Sequence, residues 1–493
     1  MFLGIDLGSS SVKVALVDAA SGKKLALVNE PENEMAITAL RTNWAEQDPK
    51  MWWEYICKGI KRVIVEAQID ASKIKGIGIS YQMHGLVVVD KDMEPLRNSI
   101  IWCDSRAIGI GDKAFDELGH DKCSEHLLNS PGNFTASKLK WVLDNEPGIY
   151  KKIHKYMLPG DFVAAKFTGT ICTTKNSLSE GVLWDYKEDR LADWLLDYYG
   201  IDASLTPDIV GNFTNQGGVS EQASKETGLP VCCPVIYRAG DQPNNALSLN
   251  ILDHGEVAAT GGTSGVVYAV TNKLKSKESS RINNFAHVNY SKERTNVGKL
   301  LCINGCGIMY RWLKNNTGIN SYGEMNSKAS GVPVGSDGLV VVPFGNGAER
   351  MLNNKNVGAH FLNLNLNQHN NGHLCRAALE GIAFSFVYGM EILRNDNAEL
   401  KVIRAGNDNL FRAGIFANTV ATLIGYDIEI YNTTGAIGAA RACSLTDCDF
   451  GRFGANIMNN DYVMTYKPLA DKEPYLEAYN TWKTELERIL KNE

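Results

Sequence analysis

The sequence predicts an α/β fold made of two related domains that face each other across a cleft. The chain has 493 residues, more than the roughly 250–300 residues at which a single hydrophobic core stops growing. Strand patterns alternate with amphipathic helical patterns, which indicates an α/β protein. A strand, a glycine-rich turn and a second strand near the N-terminus recur about half a chain later. We therefore expect one domain over residues 1–247 and a second over residues 248–493.

The first of these hairpins occupies the N-terminus. Residues 2–6 form a strand pattern, the turn contains Gly8, Ser9 and Ser10, and alternating apolar residues follow. A turn of small residues exposes backbone N–H groups that can bind phosphate. Asp6 ends the first strand and can hold Mg²⁺ together with phosphates and water, while Lys13 can supply a counter-charge. An ordinary hairpin with a capping Asp explains the same residues.

Helix and strand signals continue through the first half. Asp48 followed by Pro49 predicts a helix start, because Asp favours the N-cap and Pro the first helical position. A buried strand over residues 74–80 runs into Met83 and His84. An isolated His is more often structural than a ligand, and Asp104, after another apolar stretch, is equally ambiguous.

Asp241 follows an apolar strand at the boundary between the halves. An acid in this position would face the cleft and could accept a proton from an attacking hydroxyl group. The alternative is an N-cap for the helix that follows, and the residues alone favour that alternative.

The second half contains further glycine-rich turns. A turn containing Gly262 and Thr263 lies between two strands, and residues 406–408 and 435–438 place glycine where strands run into helices. Helix N-termini favour anions and flat ligands, although simple turns explain each site singly. We also expect a long helix over residues 373–394 and a helix capped by Asp408.

Composition excludes several classes of function. The net charge of −6 and the absence of a basic block argue against nucleic-acid binding. No apolar run approaches the roughly 18 residues of a membrane span, and the N-terminus lacks a signal-peptide pattern. The eleven cysteines form no zinc motif, and reduced thiols in a cytoplasmic protein are the simplest interpretation. The P-loop, Rossmann and zincin motifs are all missing.

Nine segments, in order along the chain, carry a resemblance to a known family. They are residues 4–13, 44–49, 82–85, 101–106, 134–141, 239–241, 262–265, 378–381 and 435–441. Together they resemble the FGGY family of carbohydrate kinases. The resemblance implies two ribonuclease H-like domains of the actin-like ATPase fold, with ATP and Mg²⁺ bound between them.

The resemblance also implies roles for individual residues. Asp241 would be the proton acceptor, and Asp6 would support the metal and phosphates, with both acids near Mg²⁺. The sugar would contact Met83, His84, Asp104, Asp241 and Gln242. The nucleotide would lie near Gly8, Ser9, Ser10, Lys13, Gly262, Thr263, Gly307, Arg311, Gly406 and Asn407.

Two segments suggest the substrate. Residues 82–85 (QMHG) and 44–49 (WAEQDP) are similar to those of xylulose kinases, which implies phosphorylation of D-xylulose at O5. Another ketose or polyol, such as L-xylulose, ribulose or glycerol, is the alternative, and a non-catalytic sugar- or ATP-binding relative is a further one. Family members are often dimers, so a homodimer is possible on this resemblance.

Overall fold

The computed structural model describes residues 1–492. The first half contains thirteen strands: β1 (Phe2–Leu7), β2 (Val12–Val17), β3 (Lys24–Glu30), β4 (Glu46–Gln47), β5 (Ile77–Tyr81), β6 (Val87–Val89), β7 (Ser99–Ile100), β8 (Lys155–Met157), β9 (Cys172–Thr174), β10 (Trp184–Asp185), β11 (Arg190–Leu191), β12 (Asp208–Val210) and β13 (Val235–Gly240). Its helices are α1 (Pro49–Glu66), α2 (Ile108–Leu118), α3 (His120–His126), α4 (Thr135–Asn145), α5 (Pro147–Tyr150), α6 (Pro159–Thr168), α7 (Lys175–Glu180), α8 (Asp193–Tyr199), α9 (Glu221–Thr227) and α10 (Asp241–Ser248).

Up to residue 492, the second half contains nine strands: β14 (Glu256–Gly261), β15 (Gly265–Thr271), β16 (Asn283–Ala286), β17 (Val297–Ile303), β18 (Val340–Phe344), β19 (Gly358–Leu362), β20 (Val402–Gly406), β21 (Ile428–Tyr431) and β22 (Tyr462–Tyr466). Its helices are α11 (Gly307–Asn316), α12 (Tyr322–Ser330), α13 (Asn371–Asn395), α14 (Gly414–Ile424), α15 (Gly435–Ala442), α16 (Phe450–Asp461) and α17 (Glu473–Lys491). Short 3₁₀ helices cover Ala71–Lys73, Ala203–Leu205, Ser336–Gly338, Arg350–Leu352, Asn409–Arg412 and Cys443–Asp447.

The two main sheets share one five-stranded pattern. The first sheet has the order β13-β5-β1-β2-β3, and the second contains β21-β20-β14-β15-β17 within a seven-stranded sheet. In each, three parallel strands continue into two antiparallel ones. The α/β prediction and the internal repeat are both confirmed. Parallel strands bring their carboxyl ends to one edge of a sheet, where ligands bind in such folds.

Most local predictions agree with the structure. Asp48 caps α1 by accepting the N–H of Lys50 at 2.9 Å, and the long helix appears as α13. The predicted helix capped by Asp408 is wrong. The chain forms a 3₁₀ helix there, the Asp408 side chain makes no capping hydrogen bond, and α14 begins only at Gly414.

The halves pack closely against each other. Helix α15 of the second half lies on β1, β5 and β2 of the first sheet. The approach requires glycine at position 78, because a Cβ there would lie 1.9 Å from the carbonyl oxygen of Ala439. All eleven cysteines are free thiols. Among the described residues, no helix is long and apolar enough to cross a membrane.

Candidate active site

The glycine bend after β1 opens onto a cavity. The Gly8 N–H donates to the Ser11 carbonyl at 3.0 Å, which closes the bend, and Gln47 Nε2 donates to the Ser9 carbonyl at 2.7 Å, which holds it from behind. A cavity of about 290 Å³ is lined by Asp6, Gly8, Ser9, Ser10, Ser11, Lys13, Gln82, Trp102 and Asp241. The structure therefore brings together the first-half residues predicted for phosphate and the predicted base.

Two carboxylates share this cavity. Asp6 lies at the end of β1 and accepts a hydrogen bond from the Ser80 hydroxyl at 2.8 Å. Asp241 is the first residue of α10, directly after β13. Burial, and to a smaller extent the negative charge of Asp6, raise the pKa of Asp241 to about 7. Hydrogen bonds from Gln242 lower the pKa and only partly offset this shift. Nearby like charges of this kind are relieved by a cation or by a proton.

The carboxylate pair fits a magnesium ion that takes most of its ligands from elsewhere. No group of three or more His, Cys, Asp or Glu side chains within residues 1–492 is arranged to hold a metal. Mg²⁺ commonly uses one or two carboxylates together with phosphates and water. Asp6 and Asp241 match that donor set.

The second-half bend lies beside a larger cavity. The Gly307 and Ile308 N–H groups donate to the carbonyls of Gly262 and Thr263 at 3.1 and 3.0 Å, so the start of α11 fixes the bend. The cavity has a volume of about 550 Å³. It is lined by Gly261, Gly262, Thr263, Gly307, Tyr310, Arg311, Tyr322, Gly323, Asn326, Asn409, Leu410, Arg412 and Ala413.

Two predicted nucleotide residues fall outside that wall. Gly406 ends β20 and Asn407 follows it, but the cavity is lined by Asn409, Leu410, Arg412 and Ala413 instead. The chain reaches the cavity only in the 3₁₀ helix that follows Asp408, which lies beyond Gly406 and Asn407. Arg311 and Gly307 lie in the wall, as predicted.

His84 adopts a strained backbone conformation near the end of β5. Its φ is 61°, in the left-handed region. Its Nδ1 donates to the Glu180 carbonyl at 2.9 Å, which leaves Nε2 as a free acceptor with no hydrogen-bond partner among residues 1–492. Its ring packs against Phe134 and Phe285 at 4.8 and 5.0 Å between centroids. Burial lowers the pKa of His84 to about 3, so the imidazole is neutral.

The remaining predicted sugar ligands divide into two kinds. Like His84, neither Met83 nor Gln242 lines either of the two cavities: Met83 is buried next to Gly240, and Gln242 follows the base in α10. Asp104, by contrast, is fully buried, accepts the Ala45 N–H at 2.6 Å and forms an ion pair with Arg106 at 2.6 Å. Asp104 therefore does not line the cavity and is held in a buried ion pair.

Two domain models of one protein family match this chain. Residues 1–248 match the N-terminal domain of the FGGY family of carbohydrate kinases, and residues 257–446 match its C-terminal domain. The chain belongs to the FGGY family of carbohydrate kinases. The glycine bends and the acid pair are thus parts of a sugar kinase.

Individual relatives cover almost the whole of this FGGY kinase. A xylulose kinase from Bacillus subtilis is 27% identical over 452 residues, with 89% of this chain and 86% of that protein covered. Two solved structures share the fold. A xylulose kinase from Rhodospirillum rubrum has a TM-score of 0.87 at 22% identity, covering 99% and 98% of the two chains. A Plasmodium falciparum glycerol kinase with ADP has a TM-score of 0.88 at 20% identity, also covering 99% and 98%.

Sequence reasoning missed three supporting residues of this FGGY kinase. Gln47 holds the first bend, and its place in the WAEQDP segment was the available signal. Glu349 accepts the N–H groups of Asn304 and Gly305 at 2.8 and 3.1 Å, beside the second bend. Glu180 lies buried against the His84 turn, and no motif around it marks that position.

Proposed function

We propose that this FGGY kinase transfers the γ-phosphoryl group of ATP to O5 of D-xylulose, giving D-xylulose 5-phosphate and ADP. The observation that carries the proposal is the position of Asp241, which lines one cavity together with Asp6 and the Gly8–Ser10 bend. The sugar assignment rests on the resemblance of residues 44–49 and 82–85 to xylulose kinases and on the B. subtilis relative.

Asp241 is the proposed general base. Its carboxylate accepts the proton of the attacking sugar hydroxyl while that oxygen bonds to the γ-phosphorus and the bond to ADP breaks. Its position suits this role, because the carboxylate lines the same cavity as the glycine bend proposed to hold the phosphates, and a base must lie within hydrogen-bond reach of the proton that it accepts.

The sugar is proposed to lie beside the turn at Met83 and His84, with Gln242 on the side of the base. The neutral imidazole of His84 offers Nε2 as an acceptor, since Nδ1 is committed to the Glu180 carbonyl. A sugar hydroxyl can donate to it without competition from a protonated ring. Asp104 supports this region through its ion pair with Arg106 and makes no proposed contact with the sugar.

ATP is proposed to occupy the 550 Å³ cavity of the second half, with its phosphates directed toward both glycine bends. Phosphoryl transfer depends mainly on positioning and charge neutralisation. Mg²⁺, held by Asp6 and Asp241, would neutralise phosphate charge. Lys13 and Arg311 add positive charge at the two cavities.

The proposed organisation assigns residues 1–247 to the sugar and the base, and residues 248–493 to the nucleotide. A cytoplasmic location, where ATP is available and thiols stay reduced, belongs to the proposal. A homodimer is proposed only because members of the FGGY family are often dimers.

Replacing the base tests the mechanism. We expect Asp241→Asn to lower kcat by about 10²–10⁴-fold, the usual contribution of a positioned base, with circular dichroism and the affinity for ADP in the absence of Mg²⁺ unchanged. Asp253→Asn, at an exposed carboxylate twelve residues on, is the matched control and should keep full activity. Near-normal turnover in Asp241→Asn would refute the assignment.

A substrate panel tests the sugar. ADP formation with D-xylulose, L-xylulose, D-ribulose and glycerol should give the highest kcat/KM for D-xylulose. The structural likeness to a glycerol kinase makes glycerol the main competitor. A higher kcat/KM for another acceptor would assign that acceptor as the substrate in place of D-xylulose and would leave the proposed mechanism unchanged. ATP binding without turnover of any acceptor would favour a non-catalytic relative.

A further inference from the structure

The carboxyl group of Glu180 lies beneath the turn that carries Met83 and His84. It is the last residue of α7 and is only 2% exposed. One carboxyl oxygen accepts the backbone N–H of His84 at 3.3 Å, and the other accepts the Tyr81 hydroxyl. The same residue's carbonyl accepts Nδ1–H of His84. Glu180 thus contacts His84 at the backbone and at the ring.

Glu180 also touches the strand that leads to the base. A Cβ placed on Gly240 would lie 3.0 Å from Oε2 of Glu180 and 2.5 Å from Cγ of Met83. Gly240 therefore lets the carboxyl group and the Met83 side chain pack directly against the last residue before Asp241. Any larger residue at this point would separate the sugar-side turn from the base.

A chain of buried polar contacts extends this arrangement. The Tyr81 hydroxyl also contacts Ser177 Oγ at 2.9 Å, and Ser177 donates to Asp161 at 3.1 Å. Asp161 pairs with Arg238 of β13 at 3.3 Å. These side chains are all fully buried or nearly so. Glu180 is the end of this chain that contacts His84.

We propose that Glu180 is a positioning residue, which holds the His84 turn in its left-handed conformation and in register with the strand that carries the base. The inference rests on the proposed function for the roles of His84 and Asp241. Glu180 is not assigned a contact with the sugar. It acts through His84, whose free Nε2 is the acceptor offered to the substrate.

The conservative replacement follows from the surroundings of the group. Within residues 1–492, no Lys, Arg or His forms an ion pair with Glu180. Burial raises the pKa of Glu180 well above its ordinary value, although the hydrogen bond from Tyr81 opposes this shift. A primary amide resembles a carboxyl group in shape. Glu180→Gln therefore keeps an oxygen that can accept the His84 N–H, while its amide N–H₂ faces Tyr81 as a donor in place of the oxygen that accepted the Tyr81 hydroxyl.

Kinetics of three variants test the proposal. Glu180→Ala should lower kcat/KM for the ketose by about tenfold to a hundredfold, as expected when a buried N–H loses its acceptor, and leave KM for ATP within about twofold. Glu180→Gln should restore most of the loss. Glu380→Ala removes another buried carboxyl group, in α13 and paired with Arg376, and should lower thermal stability without changing KM for the ketose.

A measurement without substrate separates this inference from the proposed function. In protein labelled with ¹⁵N-histidine, the His84 ring signals, assigned with His84→Asn, should shift in Glu180→Ala and return in Glu180→Gln. An unshifted His84 signal, or unchanged ketose kinetics, in folded Glu180→Ala would overturn the positioning role. If Asp241→Asn stays active while the His84 signal responds as expected, the base assignment fails and the role of Glu180 stands.

Discussion

Lys138 has no exposed surface, although it is a lysine beside a polar site. Its Nζ donates to the carbonyls of His84 and Ile101 at 2.9 and 3.0 Å, which ties the His84 turn to the segment before Trp102. Burial lowers the pKa of Lys138 from 10.5 to about 7, in spite of the negative charge of Asp104. The charged form is therefore disfavoured in the folded protein.

This lowered pKa predicts a specific dependence of stability on pH. Between about pH 7 and pH 10 the unfolded chain keeps a proton on Lys138 that the folded chain releases, so the contribution to stability rises with pH. It is fully present above the unfolded pKa and is lost as the pH falls through about 7. We expect the melting temperature of wild type, measured relative to Lys138→Met, to increase across this range.

The matched control for that experiment is Lys140→Met. Lys140 lies two residues away, is partly exposed and pairs with Asp144 at 2.6 Å. Its variant should follow the pH dependence of wild type. If Lys138→Met also follows wild type, Lys138 does not titrate as described.

At the scale of elements, the contact between α11 and the bend at Gly262 and Thr263 sets the shape of the proposed phosphate-binding site. A Cβ on Gly307 would lie 2.3 Å from the Gly262 carbonyl oxygen. We expect Gly307→Ala to push the bend away from α11 and to weaken ADP binding about tenfold or more, since overpacking of this kind costs about 1–3 kcal/mol. Isothermal titration with ADP measures the change.

Gly331→Ala serves as the comparison for this variant. Its backbone is right-handed helical, and a Cβ there would find its nearest neighbour at an ordinary 3.6 Å. ADP affinity should stay at the wild-type value. Equal affinities for Gly307→Ala and Gly331→Ala would mean that the 550 Å³ cavity does not hold the phosphates.

Elements defined by local signals could be predicted from the sequence. The hairpin β1–β2 follows from alternation around a glycine turn, and the start of α1 follows from Asp48 and Pro49. Contacts between distant segments could not. Glu180 meets His84 across 96 residues, and Asp104 accepts a backbone N–H from a residue 59 positions away. Neither contact leaves a periodicity or a spacing in the sequence.

At the scale of the whole molecule, the two halves share a hydrophobic core. One buried cluster joins residues of the first half, such as Phe134 and Tyr237, to residues of the second, such as Tyr268 and Phe285. Asn129 and Asn284 exchange hydrogen bonds across the same contact, at 2.6 and 2.8 Å. Because neither half buries these surfaces alone, we expect the halves to unfold together.

Calorimetry with ADP tests this coupling. We expect a single thermal transition, and ADP at about a hundred times its Kd should stabilise the protein by about 2.7 kcal/mol and shift the entire transition upward by a few degrees. The shift should include the first half, although ADP is expected to contact mainly the second, because the shared core transmits the stabilisation. Tryptophan fluorescence follows the same transition independently and reports mainly on the first half, which contains seven of the nine tryptophans. Two separate transitions, of which ADP moves only one, would contradict the shared core and would make each half an independent folding unit.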